Sequence, residues 1–240
     1  MKKYFNRKTL IIIITIMVLC TIFIFNYHYT PHKKMPRAKN GVIDLTNWNF
    51  TKDGAVKLDG EWELYWNQFL SYNDFQNNSI SNSTDYFQVP SMWKGSTING
   101  TNISVEGYAT YRLKVRTNNN DNLKGLRLVT ICDAYKIFID DKMIGSSGTL
   151  GQDFGTTISE YKPQILVFEQ NSTEFEIIIM VSNYIDKRGG IVHSIELGNY
   201  QQIINIKENA VKLDAFLIGV FLIMFMYHII IYLRTRRDAT

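Results

Sequence analysis

GYATYRLKV at 107–115 and LRLVTICDAYKIFIDDKMIGSSG at 126–148 decide the fold. In the first, Ala109, Tyr111, Leu113 and Val115 alternate with Tyr108, Thr110, Arg112, Lys114 and Arg116, the period of two of a half-buried strand. Residues 126–132 are apolar on both faces apart from Arg127 and Thr130. Their β-branched side chains favour a central strand over a short helix. Asp140 and Asp141 then separate 135–139 from 142–144. Acidic turn residues tolerate positive φ, so this pair predicts a tight hairpin.

Working outward, the folded region opens at 41–45, and alternation returns at 56–66. There Val56, Leu58, Trp62, Leu64 and Trp66 share one face, with Gly60 as a bulge in a single amphipathic strand. Residues 67–75 predict a short helical turn, 77–85 a Ser/Asn loop, and 86–89 a strand that leaves its sheet at Pro90. Past the hairpin, 164–169, 174–182 and 190–198 predict three further strands. Many short antiparallel strands with turns between them predict a mainly β domain, a β-sandwich or jelly roll.

Two apolar runs flank it. Residues 10–25 carry only Thr15 and Thr21 as polar interruptions and span roughly 24 Å as a helix, just enough to cross a bilayer. A cleaved signal peptide is the competing reading; the absence of a small-x-small site after Phe25 favours an uncleaved signal anchor. Residues 215–233 span roughly 28 Å and end in Arg234, Arg236 and Arg237, a transmembrane helix with a basic cytoplasmic stop. The net charge of +4 is largely made at these flanks, so membrane edges and not nucleic acid explain the basic excess. Cys20 lies in the first run and Cys132 in a core strand, so the two form no structural disulfide. The expected order is a cytoplasmic start (1–9), a signal-anchor helix (10–29), a linker (30–40) and an extracellular sandwich (41–199). A coupling helix (200–214), a transmembrane helix (215–233) and a cytoplasmic end (234–240) follow. Residues 26–214 are expected outside the cell membrane.

LDGEWELYWNQF at 58–69, VPSMW at 89–93, GYATYRLKV at 107–115, AYKIFIDDKMIGSSGTLG at 134–151 and VSNYIDKRGGI at 181–191 occur in this order. Together they resemble the extracellular domain of bacterial seven-transmembrane receptors with diverse intracellular signalling modules, the DISM type. The resemblance covers roughly residues 41 to 238. It implies a galactose-binding-like jelly roll feeding a seven-helix bundle that drives a histidine kinase, nucleotide cyclase or similar output. A looser similarity to the sugar-binding sandwich of some glycoside hydrolases adds carbohydrate as a ligand. Two departures stand out: one helix of the seven is present, and Asp140-Asp141 replaces a frequent Asn-Gly. On this resemblance the chain reads as the ligand-sensing part of a receptor truncated before its remaining helices. The alternative is a membrane-anchored surface carbohydrate-binding or structural module that passes no signal.

No catalytic constellation emerges. The histidines are His28, His32, His193 and His228, of which His193 alone falls in the domain, so neither a triad nor a zinc site can be built from them. Glu61 and Glu63 share a strand face, a pattern that belongs to a solvated face more often than to a glycosidase pair. The expectation is a non-enzymatic binder without metal or cofactor, whose partners are a small-molecule or carbohydrate ligand and the membrane. If consecutive strands alternate in direction, the loops 90–106, 133–134, 146–163 and 183–189 gather at the end away from the membrane. They carry Trp93, Asp133, Tyr161, Lys187 and Arg188, types that hold a polar or sugar-like ligand by stacking and charge-assisted hydrogen bonds.

Overall fold

The computed structural model describes residue 16 and residues 34–77, 85–98, 100–118 and 123–237. All of the first apolar run but residue 16, the start of the linker and most of the Ser/Asn loop at 77–85 lie outside the described residues. From Pro36 onward the chain forms one compact unit.

Two sheets face each other. The seven-stranded sheet has the order β10 (Lys142–Ser147), β9 (Ala134–Ile139), β12 (Glu174–Asn183), β7 (Gly107–Thr117), β3 (Gly60–Trp66) and β4 (Asp85–Val89). Its seventh strand, β1 (Val42–Leu45), pairs in parallel with residues 114–117 of β7, while the other pairings are antiparallel. The second sheet has the order β11 (Gln164–Glu169), β8 (Leu123–Leu128), β13 (Glu196–Asn199) and β2 (Val56–Lys57), all antiparallel. A small hairpin joins β5 (Thr97–Ile98) to β6 (Thr101–Asn102). The helices are α1 (Phe50–Asp53), α2 (Tyr72–Gln76) and α3 (Tyr200–Arg237).

Alternation produces the core. Ala109, Tyr111, Leu113 and Val115 of β7 are fully buried, as are Ile177, Ile179 and Val181 of β12. They belong to one cluster with Leu126, Leu128, Leu166, Phe168 and Leu197 of the second sheet. Each large apolar side chain buried in this way contributes roughly 1.5–3 kcal/mol. The opposite face of β7 and β12 is not simply solvated. Phe75 of α2 packs on Tyr65 and Ile178, and its ring lies 4.3 Å from the Arg112 guanidinium. Arg112 Nε donates to Glu176 at 2.7 Å and Nη1 to Glu63 at 3.1 Å, so Glu63 is part of a covered ion-pair network.

The hairpin forms as expected, with Asp140 at φ 51° and its carboxylate accepting the Glu176 N–H at 2.8 Å. Three strand expectations need correction. Residues 56–66 are two strands in opposite sheets, divided near Gly60, whose φ of 134° brings the chain against the Ala38 backbone. The apolar alternation continues across the break because both sheets turn their inner faces to the same core. The strand expected at 126–132 runs instead over β8, and residues 129–132 leave the sheet. The strand expected at 190–198 is reduced to β13, because residues 188–195 bond singly to several neighbours. Ile191 O accepts from Ser91 N, Gly190 O from Cys132 N and Ile195 O from Leu58 N.

The helix α3 is continuous over 38 residues, so the coupling segment and the apolar segment form one rod of about 57 Å. Its first turns dock on the second sheet: Ile203 is fully buried against Gly125 and Gly198, and Gln202 donates to the Phe50 carbonyl and accepts from Asn199 N. Beyond this the helix is exposed, and by length and composition it can cross a membrane.

Strand registers place the loops. Asn183 pairs with Gly107 and Ser182 with Ala134, so the end of β12 lies beside the starts of β7 and β9. Gln164 pairs with Leu128, which puts the loop before β11 at the end of β8 that leads on to β9. β13 runs the other way, from Glu196 beside Arg127 to Asn199 beside Lys124. The exit into α3 is therefore at the opposite end of the sandwich from the gathered loops.

Candidate functional site

The site is built around a buried carboxylate. Asp133, in the link between β8 and β9, is 0% exposed and accepts N–H bonds from Tyr184 (2.7 Å), Ile185 (2.6 Å) and Asp186 (3.0 Å). Its Oδ1 also accepts the Ser159 hydroxyl at 3.2 Å. One side chain thus ties together three loops, and the backbone donors after β12 find in it the acceptor that a sheet would otherwise supply.

On this anchor rests a second constellation. Asp186 accepts from Arg188 N (2.7 Å), Nε (3.0 Å) and Nη2 (2.9 Å), and the Tyr161 hydroxyl also donates to it. Arg188 Nη2 lies 3.3 Å from that hydroxyl. Asn183 secures the loop from beneath, donating to Val105 O and Asp186 O. Asp133, Tyr161, Ile185, Asp186, Lys187 and Arg188 line one open cavity of about 420 Å³.

The protonation states follow from this geometry. The Arg188 hydrogen bonds hold the Asp186 carboxyl well below the usual carboxylate range, and Asp186 in turn raises the Arg188 guanidinium. Burial and the bond to Asp186 push the Tyr161 phenol above its ordinary value. Burial pushes the Cys132 thiol, 4.0 Å from the Tyr161 hydroxyl, up to about 11. At neutral pH the site therefore presents a charged Asp186–Arg188 pair beside a protonated phenol and thiol. It offers hydrogen bonds and charge, with neither thiolate nor phenolate to act as a nucleophile.

A depressed folded-state pKa makes the Asp186–Arg188 pair a stabilising contact above the unfolded carboxylate pKa of about 3.9, lost as pH falls through the lower folded value. Asp186→Asn is therefore expected to lower the unfolding midpoint at pH 7, and the gap to the parent should begin to narrow as the pH drops below about 4. Urea unfolding of both proteins from pH 7 to pH 3 checks this; a gap that persists unchanged in acid would show that the charge contributes nothing.

Of the residues expected to hold ligand, Tyr161, Lys187 and Arg188 come together at the cavity. Asp133 reaches its wall, but its oxygens are taken up by the four donors of the loops. Trp93 does not belong there. It is 0% exposed, its N–H donates to the Tyr111 hydroxyl at 2.6 Å, and its ring stands 4.8 Å from Trp66 in an edge contact. Its apolar area is spent on the core, beneath Gly189 and Gly190. Sequence reasoning missed Ile185 and Asp186. Asp186 had a readable signal, since an Asp two residues before Arg188 in a Gly-closed loop forms an Asx turn.

No protein-family model and no curated protein matches the chain. Among solved structures, a GH2 β-galacturonidase from Eisenbergiella tayi bound to galacturonate matches at TM-score 0.42 and 14% identity, over 60% of this chain and 24% of that enzyme. The β-glucuronidase of Ruminococcus gnavus matches at TM-score 0.42 and 10% identity, over 60% of this chain and 28% of that enzyme. A β-glucuronidase from an uncultured Clostridium sp. matches at 0.43 and 15%, with the same coverage as the Ruminococcus enzyme. The chain spans about a quarter of the length of these enzymes, and so distant a likeness says nothing of what it does.

Proposed function

We propose that this chain is the extracytoplasmic ligand-sensing part of a bacterial membrane signalling receptor. In this reading its sandwich is a jelly roll of the galactose-binding type, which takes a polar, sugar-like ligand in the cavity of Tyr161, Ile185, Lys187 and Arg188. The observation that carries the reading is the division of labour between the sheets. Tyr161 belongs to the loop before β11 of the four-stranded sheet, whereas residues 185–188 follow β12 of the seven-stranded sheet. A ligand held between them favours one relative position of the two sheets. α3 is rooted in the four-stranded sheet through Ile203 and continues without a break into the apolar segment. A shift between the sheets is thereby passed to the membrane helix as a change in conformational population. The DISM-type resemblance supplies the output, a bundle coupled to a kinase or cyclase.

Two measurements test this. An alkaline phosphatase fusion after Gly151 is expected to be active and a cytoplasmic reporter at the same point inactive; the reverse pattern removes the sensor reading. Ligand is then expected to change amide hydrogen exchange at residues 200–206 as well as at 184–188. Protection confined to the loops would leave a surface-anchored binding module that sends no signal.

A further inference from the structure

We infer that the cavity takes an anionic sugar, one whose ring carries a carboxylate or a phosphate, and that Lys187, Arg188 and Lys94 hold the anion. This rests on the sensing role proposed above and narrows its ligand. The acidic groups of the site are already engaged. Asp133 is buried under three N–H donors and Ser159, and Asp186 is taken by Arg188 and Tyr161. The basic groups are not exhausted. Arg188 uses Nε and Nη2 on Asp186, and its Nη1 edge has no hydrogen bond among the described residues, although the side chain is 42% exposed. Lys187 lines the cavity, is exposed, and has no ion-pair partner among the described residues. Lys94, also exposed, donates its backbone N–H to Arg188 O at 3.0 Å, which sets the backbone of a third basic residue beside Arg188, within reach of a long side chain.

The oxygens of both carboxylates at the cavity, Asp133 and Asp186, already accept protein hydrogen bonds, whereas Lys187 and the Nη1 edge of Arg188 still have donors to give, and a bound anion accepts charge-assisted hydrogen bonds from them. Asp186 holds the guanidinium in one orientation, so its remaining edge is presented without further ordering cost. The other wall suits a sugar ring. Tyr161 is 51% and Ile185 52% exposed, an aromatic and an aliphatic face within a cavity whose 420 Å³ lies in the usual range of about 300–1,000 Å³ for small-molecule sites. The ring lies on Tyr161 and Ile185 with its anion toward Lys187 and the Nη1 edge of Arg188.

The test uses the full chain in nanodiscs of zwitterionic lipid, with binding followed by calorimetry. The probes are oligogalacturonate, glucuronate and glucose 1-phosphate, each beside its neutral counterpart. Anionic probes are expected to bind at least about tenfold more tightly than neutral ones, and to weaken severalfold between low and high salt. The carboxylate and phosphate arms show which anion the site prefers. Lys187→Ala and Lys94→Ala are each expected to weaken anionic binding by roughly three- to fivefold, with Lys187→Arg retaining it and unliganded melting points unchanged. Neutral sugars binding as tightly as anionic ones, with no response to Lys187→Ala, would overturn the anionic inference and leave the sensing role intact. Absence of binding by every sugar, or sugar binding indifferent to Tyr161→Ala, would overturn both.

Discussion

Asp133→Ala is expected to destabilise the sandwich by about 3–4 kcal/mol, and to loosen residues 184–188 before the rest of the fold. The wild-type carboxylate satisfies three backbone N–H groups and a hydroxyl at a position with no exposure to solvent. Truncation removes the acceptor and leaves the donors in place. A buried donor left without a partner costs about 1–3 kcal/mol, so even if water reaches one or two of them the loss is large. Asp133→Asn is no remedy, because its amide turns a donor toward groups that are themselves donors. Two readings separate this from a general core effect: tryptophan-monitored unfolding gives the total loss, and hydrogen exchange at Tyr184, Ile185 and Asp186 gives its place. Ligand affinity should fall with that local protection, making Asp133 a positioning residue. A loss under about 1 kcal/mol with these amides still protected would mean that the loop is held by other contacts.

The parts of the fold that were legible in sequence are those where one face is buried and the other is not. β7 declares itself through Ala109, Tyr111, Leu113 and Val115, and the β9–β10 hairpin through Asp140, because both features are local. Sheet membership is not local. Residues 56–66 keep their alternation across two sheets, since a residue pointing into a sandwich core looks the same from either side. Residues 190–195 deceive for the opposite reason: Ile191 and Ile195 are buried as a strand's would be, yet their carbonyls bond to Ser91 and Leu58 outside any ladder.

The gathering of Tyr161, Lys187 and Arg188 was legible from strand direction alone, because alternating strands sort loops into two ends. What strand direction could not reveal is how fully a side chain's hydrogen-bonding capacity is spent. Asp133 and Arg188 are both charged residues in loops at the same end. One has four donors on it and faces inward, and the other keeps an edge toward the cavity. Only the positions of the neighbouring N–H groups distinguish an anchor from a contact.

Trp93→Ala is expected to cost about 4 kcal/mol, within the range of about 3–5 kcal/mol for emptying a buried large aromatic site. The indole fills a space bounded by Trp66 at 4.8 Å, by Tyr111, and by the backbone at Gly189 and Gly190, where an added Cβ would lie 2.8 Å and 2.9 Å from the ring. Its removal opens a cavity and deprives the fully buried Tyr111 hydroxyl of its N–H donor. Trp93→Phe keeps part of the volume and loses the donor, so it should cost less than the alanine change. A double-mutant cycle identifies the contact. Gly190 has φ of 82°, so Gly190→Ala carries a backbone penalty of about 1 kcal/mol together with a clash against the indole. In the Trp93→Ala background the indole clash is gone, leaving the backbone penalty and the 3.1 Å approach to Ser91 O, a coupling of at least about 1 kcal/mol. This packing holds residues 91–94 against 188–191 through the Ser91–Ile191, Trp93–Gly189 and Lys94–Arg188 backbone bonds, so the cavity rim rests on it. Ligand affinity should fall in proportion to lost stability in this series. If Trp93→Ala abolished binding while the unfolding midpoint stayed where it was, the indole would have to reach the ligand directly, and its burial in the unliganded fold would give way on binding.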